Sequence, residues 1–131
     1  MKHRTVYAAI GPANLAVVIA SGWRRLGVDF PNQAHCYLKR DAQYAAQIAR
    51  AWHASQYSAG YVVQLRVRET FLATLALDTI AYQDHLQYRL PAAELGDLAR
   101  HCAGRIRVLH AYHSERRTLS LQRDIQWSQA L

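Results

Sequence analysis

From Gly60 to Val67 apolar and polar side chains alternate, with Tyr61, Val63, Leu65 and Val67 on one face and Val62, Gln64 and Arg66 on the other. That period of two predicts a strand with one well-buried side. Thr79 to Tyr82 and Leu86 to Leu90 read as two further extended pieces around a polar bend at Gln83 and Asp84, and in a last piece Ile106 and Val108 oppose Arg105 and Arg107. A helix is expected between them. Leu95, Leu98, Ala99 and Cys102 recur at helical spacing, Pro91 suits a first turn, Glu94 the positive helix end, and Gly104 the stop.

The first half carries the same two periods. Thr5 to Ile10 reads as a strand bounded by Gly11-Pro12, followed by a helix from about Ala13 to Leu26 that ends at Gly27 and has Trp23 packed beside it. GVDFPNQ is a loop, since Phe30 precedes a proline, and His35 to Leu38 is a second short strand. Asp41 can cap a helix whose Tyr44, Ala45, Ile48, Ala49 and Trp52 form a stripe buried against a sheet. HASQYSAG then reads as a loop, and Glu69 to Leu75 as a turn or two of helix that plugs the core with Phe71 and Leu72. Without a regular alternation of strand and helix, the order points to an α+β fold: one compact domain over residues 1–113, a small, mainly antiparallel sheet and two to three main helices. In residues 114–131, SERRTLSLQRDIQWSQAL, Leu119, Leu121, Ile125 and Trp127 fit neither period. The stretch reads as a C-terminal tail, a docking helix or partly disordered, that packs on its own domain, on a second copy or on a protein partner.

Composition narrows the function classes. At 131 residues, about half apolar, the chain can bury one core. No stretch reaches the roughly 20 apolar residues of a membrane helix, and no leader pattern is recognised, so a cytoplasmic protein is expected. The net charge of +7 comes almost wholly from arginine, but the basic residues are scattered and argue against a nucleic-acid face. Cys36 and Cys102 fit no metal or redox spacing and are expected as reduced, buried thiols.

Candidate chemistry is sparse. Seven histidines include His110 and His113, which a strand would send to opposite faces, so no metal is expected. The serines lack a Gly-x-Ser-x-Gly elbow, and Gly11-Pro12 is too little for a phosphate cradle. Of the eight tyrosines, several fall at the ends of expected elements, where they either fill a small core or line a ligand cleft.

The stretches VYAAIGPANLAVVIASGWRRL, CYLKRDAQYAAQIARAW, GYVVQLRV with FLATLALDTI, and HLQYRLPAAELGDLARH with GRIRVL resemble a family of small bacterial ADP-ribosylation/crystallin J1-like proteins. The resemblance covers about Val6 to Tyr112 and implies an ADP-ribosyltransferase-like fold. It also implies NAD or ADP-ribose as ligand, an arginine on the first strand that holds the dinucleotide, and a late glutamate that completes the site. Where such relatives carry an aromatic residue followed by arginine this chain has Tyr7-Ala8, and where they carry the glutamate it has Gln87. A carboxylate there stabilises the positive charge that grows on the ribose as nicotinamide leaves; its loss commonly costs about 10² to 10³ in rate. The expectation is a weak or inactive NAD- or ADP-ribose-binding relative, with Tyr7, Tyr37, Tyr44 and Gln87 lining the cleft. The alternatives are an active transferase that recruits His85, on the strand face of Gln87, or Arg4, near the first strand, and a non-catalytic interaction or nucleic-acid-binding module that uses the arginine surface.

Overall fold

The computed structural model describes residues 1–80 and 85–114. Six antiparallel strands form one sheet: β1 (His3–Ile10), β2 (His35–Lys39), β3 (Ala59–Arg68), β4 (Ala76–Ile80), β5 (His85–Pro91) and β6 (Cys102–His113), in the order β4-β5-β2-β1-β3-β6. The alternation seen in the sequence decides which side chains meet the helices. Val6, Ala8 and Ile10 of β1 and Val63, Leu65 and Val67 of β3 bury one face against α1 (Pro12–Ala20), α4 (Glu69–Leu72) and α5 (Leu95–Arg100), through Val18, Leu72, Leu95 and Leu98. The opposite face is covered by α2 (Ala42–Ile48), a π turn (Ala49–His53) and α3 (Ala54–Tyr57), where Ala45 and Ala49 pack on Val62 with Tyr7 and Ala9 beside them. The fold class is α+β, as the order of elements suggested.

Several boundaries differ from expectation, each for a local reason. The first helix stops at Ala20 rather than Leu26, because the Ser21 hydroxyl donates to the Val18 carbonyl at 2.7 Å and accepts from the amides of Arg24 and Arg25. Gly22 and Trp23 then take left-handed backbone angles and reverse the chain, and the Trp23 carbonyl accepts from the Ile106 amide at 2.7 Å. Asp41 does cap α2, accepting from the Gln43 amide at 2.8 Å. The helix beyond it runs through the π turn as far as Tyr57, so the expected loop shrinks to Ser58, itself left-handed. That π turn rotates Trp52 outward to 46% exposure in place of the expected burial and turns His53 inward.

Pro91 is the last residue of β5 and not part of a helix; a 3-10 turn (Ala92–Glu94) leads from it into α5, which ends at Arg100. Gly104, expected as the helix stop, lies within β6 at φ +70, where β6 is irregular against β3. His110 pairs with Val62 and His113 with Ala59, on opposite faces of the sheet. The expected bend at Gln83 and Asp84 and the tail from Glu115 onward lie outside the described residues. Among the described residues no helix is long and apolar enough to cross a membrane.

The π turn presses closely on β3. A methyl group added at Gly60 would stand 2.1 Å from the Ala49 carbonyl oxygen, so the backbone has to shift, whereas one at Gly104 meets nothing within 4 Å and carries only its left-handed strain. Gly60→Ala should therefore lower stability by about 3 kcal/mol or more, and Gly104→Ala by about 1 to 2 kcal/mol, as read from denaturant melts; equal losses would show that the close packing of the π turn on β3 is not a constraint.

Candidate functional site

Strand β1 pairs with β3 along its whole length, but with β2 at one register position, Tyr7 opposite Lys39. Beyond that position the two strands part. Ala8, Ala9 and Ile10 on one side and His35, Cys36 and Tyr37 on the other line a cleft of about 240 Å³. Phe30, Trp52 and Tyr37, each at least 39% exposed, stand among its lining residues, and Lys39, Asn14 and His53 are buried polar residues of its wall.

The register places polar residues in a row across all six strands. Arg107, Gln64, Tyr7, Lys39, Gln87 and Asp78 are successive cross-strand partners and so project from the same face. At the centre of the row Lys39 is 6% exposed and Gln87 8%. The Lys39 Nζ lies 5.7 Å from the centre of the Tyr37 ring and 5.8 Å from that of Tyr44, within cation–π reach of both. No carboxylate among the described residues forms an ion pair with it. Burial disfavours the charged amine and brings its pKa down to about 8, against a smaller opposing pull from the Cys36 thiolate.

The other side of the cleft is held by Asp29. Helix α1 has no capping side chain of its own at Gly11, and Asp29, from the following loop, takes that place: its Oδ1 accepts from the amides of Gly11 at 2.8 Å and Asn14 at 3.3 Å. Asn14 in turn accepts from the Gly27 amide at 2.7 Å, and the Cys36 thiol donates to the Gly27 carbonyl at 3.7 Å. The second carboxylate oxygen of Asp29 lies 3.7 Å from His53 Nε2, both side chains being under 10% exposed, while His53 Nδ1 stands 3.3 Å from the Ile48 carbonyl. Burial pushes the Asp29 pKa up and the His53 pKa down, and it pushes the Cys36 thiol up to about 11. Trp52 stands edge-on to both His53 and Tyr57, with ring centres 4.8 and 5.6 Å away.

Of the four residues expected to line the cleft, one does so and three surround Lys39 beside it. Tyr37 lines the cleft, Tyr7 and Gln87 flank Lys39 in the row, and Tyr44 covers it from α2. His85 shares the strand face of Gln87 and stacks on Tyr44 with ring centres 4.4 Å apart; its Nδ1 stands 3.6 Å from an Asp41 carboxylate oxygen. Ala8, in place of the arginine of the resembled family, is buried in the main core and borders the cleft. Arg4 is not at this site. It projects from the opposite face of β1, pairs with Glu69 at 3.5 Å, and borders a separate cavity with Arg40 and Tyr88, whose hydroxyl accepts from Arg40 at 2.7 Å. Lys39, Asp29, His53 and Trp52 were not anticipated as site residues; the one signal for Lys39 was a lysine, one of two in an arginine-rich chain, at an inward position of a short strand.

Cys36 is buried and Cys102 only half-buried, both as free thiols. Among the described residues no group of three or more histidines, cysteines or carboxylates is placed to hold a metal ion. No protein-family model, no curated protein and no solved structure matches the chain.

The Asp29 and His53 shifts have opposite pH signs. The folded value of His53 is depressed, so its contribution to stability is present above the unfolded value of 6.5 and is lost as the pH falls through that value towards the lower folded one. The folded value of Asp29 is raised above 3.8, so its protonation adds stability on acidification and partly offsets the loss. Between about pH 7.5 and 5.5, the fall in melting temperature should flatten in His53→Gln. Parallel curves for this variant and the parent protein would rule out a buried, neutral His53 in the cleft wall.

Proposed function

We propose that the cleft between β1 and β2 binds a nucleotide of the NAD or ADP-ribose class and performs little or no transfer chemistry. The observation that carries this is the convergence of Tyr7, Tyr37, Tyr44 and Gln87 around Lys39 at the one place where the two halves of the sheet meet. A flat, apolar slot with aromatic side chains at its rim and a few polar groups at its floor suits a heterocyclic ring with an attached sugar. At about 240 Å³ the cleft encloses one ring and its ribose, and the remainder of a dinucleotide lies across the open mouth beside Trp52 and Phe30.

Weak chemistry follows from the groups present. The neutral amide of Gln87 offers a dipole where transfer chemistry needs an anion, and its neighbour in the row, Lys39, supplies no anion either. The amide end of α1, which would otherwise attract a phosphate, is already filled by the Asp29 carboxylate. An active transferase built on Arg4 has less support, since Arg4 stands on the other face of the sheet. One built on His85 has the imidazole within reach of the row, next to Asp41.

Calorimetric titration with NAD and with ADP-ribose, with nicotinamide release followed in the same samples, tests this function. Saturable binding without release is expected. Trp52→Ala should weaken it about tenfold or more, given 1 to 3 kcal/mol for stacking one base, and Gln87→Ala by about fivefold for one neutral hydrogen bond. Sustained nicotinamide release would overturn the claim of little or no chemistry, and no binding at millimolar ligand would overturn the ligand class.

A further inference from the structure

Lys39 is the only lysine or arginine among the described residues that is buried, and it is buried in the floor of a cleft that opens to solvent. A buried ammonium is normally matched by a carboxylate or by a bound anion. Around Lys39 stand two tyrosine rings, the Gln87 amide and the half-buried Tyr7, and none of these carries a charge at neutral pH. The carboxylate in the cleft wall, Asp29, is committed to the Gly11 and Asn14 amides and to His53. Such surroundings favour the free amine, and burial accordingly lowers its pKa to about 8. A neutral primary amine in an apolar slot is a nucleophile for carbonyl carbon.

We propose that Lys39 forms an imine with a small aldehyde whose planar ring fills the cleft. The Nζ lone pair attacks the carbonyl carbon while the carbonyl electron pair moves to oxygen. Nitrogen then releases a proton and oxygen gains one, giving the carbinolamine. A second proton on the hydroxyl lets it leave as water as the carbon–nitrogen double bond forms, giving the protonated imine; its N–H proton returns to solvent, so amine and aldehyde yield imine and water with no change of oxidation state. Solvent at the open mouth of the cleft takes the proton from nitrogen and returns it to oxygen. The aromatic side chains around the slot favour an aldehyde borne on a flat ring over an aliphatic one. This activity goes beyond nucleotide binding and stands or falls apart from it.

The sequence supplies its own control, since Lys2 is the only other lysine and is exposed near the chain start. The protein is incubated at about pH 8 with limiting pyridine-3-carboxaldehyde, reduced with cyanoborohydride, digested and mapped by mass spectrometry. The expected result is reductive labelling at Lys39 at least tenfold faster than at Lys2. Gln87→Glu, which sets a carboxylate opposite the amine and holds it protonated, should slow labelling at Lys39 about tenfold and leave Lys2 unchanged. Equal labelling of the two lysines, or protection of Lys39, overturns the proposal; so does an unchanged rate at Lys39 in Gln87→Glu with a native melting curve. Labelling of Lys39 in a protein that binds neither NAD nor ADP-ribose would sustain the imine and remove only the nucleotide.

Discussion

A single cross-strand pair, Tyr7 opposite Lys39, joins the two halves of the sheet. On one side β1 is tied to β3 along its length and β3 to β6; on the other, β2, β5 and β4 form a second ladder. Were β1 and β2 paired throughout, the sheet would close and the space between Ala8 and Tyr37 would not exist. The strands are held apart from outside the sheet. Asp29 ties the loop after α1 to the start of that helix, and Cys36, Gln33 and Gly27 tie the same loop to β2. On the other face the π turn brings Ile48, Trp52 and His53 to the cleft. The cleft is therefore a property of the sheet's topology, with loop and helix as its walls.

One cause accounts for the electrostatics of this region. Burial raises the pKa of Asp29 and Cys36 and lowers that of Lys39 and His53, and in each it is the largest effect. Taking a charge out of water is costly for either sign, so each group moves towards its neutral form unless a partner intervenes. Asp29 has such partners in two backbone amides and His53, which oppose its shift. Lys39 has rings and an amide, which solvate an ammonium less well than water does. The difference in partners separates a structural carboxylate from a buried amine that has no counter-charge.

The strands were legible in the sequence because their burial alternates: the two faces of Gly60 to Val67 were assigned from period alone and recur in the fold. Helix ends were less legible, since Ser21 and the π turn act through hydrogen bonds that periodicity does not register. The aromatic and amide residues of the site were found because they stand at element ends and because of the family resemblance. Lys39 was counted only as one of a scatter of basic residues. Its meaning depends on three strands meeting in register, at separations that no local pattern encodes. Asp29 and His53 come together across 24 positions of chain, from a loop and from a helix irregularity, and for the same reason gave no local signal.

The neutral residue at position 87 and the unpaired amine at position 39 are two sides of one feature. They are direct partners across β2 and β5, both nearly inaccessible, and a carboxylate at 87 would meet the Lys39 ammonium on the same face of the sheet. A buried pair of that kind would hold both groups charged, and neither would be available as an amine. Glutamine supplies no anion, and the lack of one commonly costs about 10² to 10³ in a reaction that builds positive charge on its substrate. The same amide leaves Lys39 without a counter-charge, so that burial alone sets its proton affinity. On the two proposals made above, the neutral side chain that disfavours transfer chemistry in this cleft is the one that leaves Lys39 free for imine formation, and both follow from a single position in the central row of the sheet.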